Sequence, residues 1–110
     1  MRLAIHYMRP EWFRNGIMGA KPNLANLSAT HVLLTTIEVD QERVDWALED
    51  AFRRMQGEIW SPNGEARDLI ESKGLSHTSM SVGDVAMIDG KAFVVASFGF
   101  EPLPDAGGAA

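Results

Sequence analysis

The sequence predicts a single α+β domain: a mixed or antiparallel four-stranded sheet in the order β-loop-β-α-α-β-β, with two helices on one face and a C-terminal β-hairpin. Three observations carry this. Residues 2–8 alternate Leu3, Ile5 and Tyr7 against Arg2, Ala4 and His6, the period-two pattern of a half-buried strand. Residues 44–55 repeat apolar side chains at helical spacing. Asp89-Gly90, flanked by alternating apolar runs, is a two-residue hairpin turn, because type I′ geometry needs positive φ at both positions. A chain of 110 residues holds one domain and hides roughly two-thirds of its unfolded surface on folding.

After the first strand, Pro10, Gly16, Gly19 and Pro22 break any period, so residues 9–28 read as a long loop with a short helical turn after Pro10. Thr30 to Val39 is β-branched and apolar on both faces around Val32, Leu33 and Leu34, which predicts a central strand. Asp40 is the expected N-cap of the main helix, with Val39 and Val44 as its hydrophobic staple. Val44, Ala47, Leu48, Ala51, Phe52 and Met55 form its apolar stripe, and Gly57 fits the left-handed position after its end. Glu49 with Arg53 and Asp50 with Arg54 are acid-base pairs one turn apart on its wet side. A second helix is expected from Ser61-Pro62 or Asn63 to Lys73, stopped by Gly74, with Leu75 packing back on Ile70. In the hairpin, Val85, Met87, Ala92, Val94, Ala96 and Phe98 share an apolar face expected to meet the helices. Ile88, Phe93 and Val95 lie on the other face and form a candidate exposed patch. Residues 1–105 are the domain, and 106–110, Ala-Gly-Gly-Ala-Ala, are expected to be a disordered tail.

Composition narrows the function. Without cysteine there is no disulfide, thiolate metal site or cysteine nucleophile. The opening residues lack a signal peptide's apolar segment, and no run approaches the ~20 apolar residues of a membrane span, so a cytoplasmic protein is expected. The net charge of −5 is unevenly placed: residues 1–21 sum to +3, 38–73 to −5 and 84–105 to −3.

Chemistry-bearing motifs are sparse. His77, Ser79 and Asp84 are the nearest approach to a hydrolytic set, but no nucleophile elbow accompanies them. The plainer reading is that Thr78, Ser79 and Ser81 hydrogen-bond the loop backbone while Gly83 permits a bend. His6 and His31 become neighbours if the first two strands pair, yet they lack a third ligand, so no metal site and no cofactor are expected. Loop 9–21 interleaves Trp12, Phe13, Ile17 and Met18 with Arg9, Arg14 and Lys21. Aromatics with arginines suit a lid over the hairpin, a protein contact, or stacking on single-stranded nucleic acid. Glu42, Asp45 and Glu49 form an acidic stripe that can imitate phosphates in a basic groove, and Glu65, Asp68 and Glu71 extend it.

One stretch carries a resemblance. Ser79-Met-Ser-Val-Gly-Asp-Val85, Asp89-Gly-Lys-Ala-Phe-Val-Val95 and Phe98-Gly-Phe100 resemble the YodL-like small proteins of plasmids, integrative elements and phages. The match spans residues 75–103, about a quarter of the chain. It implies a mobile-element setting and no particular reaction. The expectation is a non-enzymatic interaction module, most specifically an inhibitor of a host defence nuclease or its nucleic-acid-recognition subunit, of anti-CRISPR or anti-restriction type. The alternative is a nucleic-acid-binding accessory protein using loop 9–21, and the third reading is a small hydrolase using His77 and Ser79. Homo-oligomerisation is compatible with each.

Overall fold

A computed structural model describes residues 1–12 and 23–103. Its elements are β1 (Arg2–Met8), α1 (Leu27–Thr30), β2 (His31–Glu38), α2 (Val44–Arg54), α3 (Gly57–Trp60), α4 (Arg67–Ser72), β3 (Val85–Ile88), β4 (Lys91–Val95) and β5 (Phe100–Pro102). The α+β class stands, but the sheet has five strands, in the order β2-β1-β3-β4-β5, and every pairing is antiparallel.

The additional strand arises because the Phe98-Gly99 exit is a turn. The Ala96 N–H bonds the Gly99 carbonyl, Gly99 takes φ +74°, and the chain returns along β4. Phe98 projects from the turn at 96% exposure. The central strand is β3; β1 lies between β2 and β3, so β2 is at the edge rather than at the centre. Its apolarity on both faces reflects a bulge: the register shifts between Ile5 and His6, leaving Leu34 without a direct partner in β1. That added residue turns Leu34 into the core and Leu33 outward.

The main core lies between the sheet and the helices. It joins Leu3, Ile5 and Tyr7 of β1 to Ala47, Leu48 and Ala51 of α2, Met55 just beyond it, and Ile70 of α4. The expected hairpin turn is present, with Asp89 at φ 49° and Gly90 at φ 79°. Within β3 and β4 the two side-chain sets are those expected, but their destinations are exchanged; Ala96 and Phe98, expected in the first set, lie beyond β4 in the turn instead. Ala86, Ile88, Phe93 and Val95 face the helices, whereas Val85 and Ala92 pack under Leu27 with Leu24, Met87, Val94 and Leu103 around them. Apolarity alone did not discriminate the faces, because the segment before β2 covers the second one. Ile88 and Val95 are therefore buried and Phe93 partly so, and they form no exposed patch.

The helices also differ at their ends. α2 starts at Val44, with Arg43 rather than Asp40 in the cap position, and Val44 is exposed instead of stapled to Val39. Gly57 does not close α2; it opens α3. Its N–H meets the Ser79 hydroxyl at 2.8 Å, and a Cβ there would stand 3.1 Å from that oxygen, so glycine permits the close approach. α3, which lies before Ser61, was not expected, and the expected second helix is shorter than its expected span: residues 61–66, with Pro62-Asn63-Gly64, form turns, and only α4 is helical within it. Its end is as expected: Gly74 adopts φ +69°, the Leu75 N–H bonds Ile70 and the Gly74 N–H bonds Glu71, a Schellman ending with Leu75 and Ile70 both in the core.

Candidate functional site

Two arrangements concentrate polar or aromatic groups. The first is a buried hub where the loop before β3 meets the end of β1. The Asp84 side chain is fully buried and accepts hydrogen bonds from the Met8 N–H at 2.7 Å, the Ser81 N–H at 2.8 Å and His77 Nε2 at 2.8 Å. An ionised carboxylate only accepts, so His77 carries its proton on Nε2. The Tyr7 ring stacks on His77 with centroids 4.5 Å apart, and its hydroxyl donates to the Thr78 carbonyl at 2.7 Å. Burial pushes the Tyr7 hydroxyl pKa well up, and the nearby Asp84 charge adds to this. Trp60 Nε1 donates to the same Thr78 carbonyl.

Beside the hub, His31 is buried between Thr30 and Gly83. Its Nε2 donates to the Gly83 carbonyl at 2.7 Å, leaving Nδ1 to accept from the Thr30 hydroxyl at 2.7 Å. Burial lowers the His31 pKa and outweighs the Gly83 bond that raises it. Burial also lowers that of His6, and His31 contributes. These two histidines do lie on paired strands, His6 opposite Leu33 and His31 opposite Met8. Among the described residues no three metal-binding side chains cluster.

Ser79 is not delivered to His77. Its hydroxyl accepts from the Gly57 N–H, and the Ser81 hydroxyl donates to the Ser79 carbonyl. His77 and Asp84 thus form a pair that anchors the loop to β1, and the serines shape the backbone around it.

The second arrangement is the outer side of α2. Trp46 is 51% exposed, and the Arg43 guanidinium stacks over its ring at 4.6 Å while gripping Asp45 with two bonds of 3.1 and 2.9 Å. The Arg43 hydrogen bond lowers the Asp45 pKa. A cleft of about 480 Å³ beside the ring is lined by Gln41, Trp46, Glu49, Asp50 and Arg53. Burial pushes the Asp50 carboxyl up, but the guanidiniums of Arg53 and Arg54 outweigh it and hold it low. Arg53 therefore turns to Asp50 rather than to the expected Glu49.

The predicted acidic residues are placed unevenly. Asp45 and Glu49 lie one turn apart on α2, but Glu42 precedes the helix, because the chain from Asp40 to Arg43 is not yet helical. All three are exposed. In the N-terminal loop, Arg9 bonds back to the Ser28 carbonyl and Trp12 is half-buried, while Phe13, Arg14, Met18 and Lys21 lie outside the described residues. Trp46 was not singled out in the sequence, although its signal was there: it falls off the Ala47-Leu48-Ala51 stripe and so must face away from the core. The bond from Met8 to Asp84 had no such signal, since that donor lies 76 residues away, whereas Ser81 and His77 are local. No helix among the described residues is long and apolar enough to cross a membrane. Compared with known proteins, the chain matches no family model, no curated protein and no solved structure.

Proposed function

We propose that this chain is a non-enzymatic interaction module of a phage or other mobile element that binds a host protein through the outer side of α2. The most specific form of the proposal is an inhibitor that occupies the basic surface of a defence nuclease or of its nucleic-acid-recognition subunit. The observation that carries it is Trp46, a large aromatic left half in water and fixed by Arg43. Exposed tryptophans are the commonest energetic anchors of protein interfaces. A ring already held in place loses less side-chain freedom on binding. Glu42, Asp45 and Glu49 are exposed carboxylates on the same, most acidic stretch of the chain, which suits a partner surface that itself attracts phosphates. The engagement of the Ser79 hydroxyl by Gly57 speaks against the hydrolase reading.

The test is affinity capture from host lysate with three baits: the parent, Trp46→Ala, and Glu42→Lys/Asp45→Lys/Glu49→Lys. A nucleic-acid-binding protein retained by the parent and lost from both variants supports the proposal. Equal capture by all three removes α2 from it. A parent that instead shifts single-stranded nucleic acid at physiological salt favours the loop 9–21 alternative.

A further inference from the structure

We infer that the outer edge of β2 is a self-association surface, at which two copies pair antiparallel and continue the sheet across a two-fold axis. The backbone groups of β2 point alternately toward β1 and away from it. Met1 and Val39 exchange both of their backbone hydrogen bonds. Such close pairs recur at every second residue of an antiparallel ladder. The register of Leu3 with Ile37 and Ile5 with Thr35 therefore turns Ile37 and Thr35 inward to β1, and turns Thr36 and Glu38 outward. Beyond the bulge, the Arg9 N–H bonds Thr30, so Val32 faces inward and Leu33 outward. Among the described residues no strand lies on that side of β2.

Edge strands in monomers are blunted by lysine, proline, shortness or a covering element. β2 is eight residues long, and the Val32-Leu-Leu-Thr-Thr-Ile37 run within it carries neither charge nor proline. Among the described residues its far end is plugged, where Arg54 Nη1 donates to the Glu38 carbonyl at 3.2 Å. Leu33 and Thr36 are exposed beside the open edge.

A second copy fits because the strand complements itself. With Thr36 opposite its own symmetry mate, the two residues exchange two backbone bonds and their side chains form a threonine pair, a favourable cross-strand combination. Thr35 then stands opposite Ile37 of the other copy on the helix-facing side, which extends the apolar layer. Glu38 is kept away from its own mate. Sliding the axis to Glu38 would set two carboxylates face to face, so the register is selected by repulsion as well as by fit.

Thr36→Pro tests this, because it deletes only the outward N–H and leaves the ladder to β1 whole, as an edge strand tolerates. Thr36→Lys is the companion that keeps the backbone donor and adds like charges at the axis. Sedimentation equilibrium over a wide concentration range should show the parent passing from monomer to dimer. Both variants should weaken association by about tenfold or more, the effect of two lost hydrogen bonds or of new repulsion. Far-UV circular dichroism checks that they fold; if Thr36→Pro does not, Thr36→Lys decides alone. A parent that stays monomeric throughout, or a dimer that survives in every folded variant, overturns the inference.

Discussion

Replacing Asp84 with alanine removes the one acceptor that three donors from two segments, the end of β1 and the loop before β3, share. The Met8 N–H, the Ser81 N–H and His77 Nε2 all end on this carboxylate, whose side chain is fully buried. Alanine offers no acceptor, and the space left is too enclosed for each donor to reach bulk water. A buried donor without a partner costs about 1–3 kcal/mol. His77, whose side chain keeps 18% of its exposure, belongs at the low end, and the Met8 N–H at the high end. Together they give about 3–6 kcal/mol, a melting-temperature drop on the order of 15–25 °C for a domain of this size. Asp84→Asn should lose less, about 2–4 kcal/mol, since one amide oxygen still serves Met8 while the NH₂ group faces two donors. Urea denaturation monitored by tryptophan fluorescence gives both numbers, with Asp68→Ala on the exposed face of α4 as the control. If Asp84→Ala unfolds at the midpoint of that control, the hub is not a stabilising element and the assignment of His77 to an anchoring role falls with it.

Other predictions address the core, the turn and the histidines. Phe52→Ala should cost about 2–3 kcal/mol, below the full value for a core phenylalanine, because Phe52 is partly exposed and packs edge-on to Phe100; Glu42→Ala should stay within about ±0.5 kcal/mol, and equal urea midpoint shifts would refute this placement. Gly90→Val should destabilise by roughly 1–2 kcal/mol or more through backbone strain alone, since φ is +79° and nothing lies within 4 Å of an added Cβ; a parent-like melting curve would reject the type I′ turn. His6 and His31 have lowered folded-state values, so the unfolded chain binds protons first. Stability is then fully present above the unfolded value of about 6.5, and is lost as pH falls from there through the folded-state values. Urea midpoints should decline across that window, and the decline should shrink in His31→Gln; an unchanged slope in that variant would remove His31 as a source.

How far the sequence spoke depended on whether a feature was local. The Asp89-Gly90 turn, the Gly74 helix ending and the Ala47-Leu48-Ala51 stripe are each decided within a few residues, and each was legible. The hairpin's helix-facing side was not, because both of its faces are apolar and the choice rests on Leu24 and Leu27, some sixty residues earlier. The edge position of β2 was obscured by the bulge, which gives an edge strand the apolar density of a central one. At the candidate site, Asp45 and Glu49 were readable as exposed acids. Glu42 was misplaced by a helix that starts later than its capping signal, and the hub's His77–Asp84 contact was suggested only by proximity.

Binding through the outer side of α2 is the proposal on which the function rests. Its most direct measurement is the affinity of a recovered partner for two variants at low and high salt. Trp46→Ala combined with Glu49→Lys removes the aromatic anchor and reverses a neighbouring charge, without touching the buried stripe of α2. Trp12→Ala with Arg14→Ala disables the N-terminal loop instead. The account predicts that the α2 variant weakens binding by about a hundredfold or more, that the loop variant binds nearly as the parent does, and that the parent complex loosens as salt rises. Strong loss in the loop variant with parent-like binding by the α2 variant would contradict it.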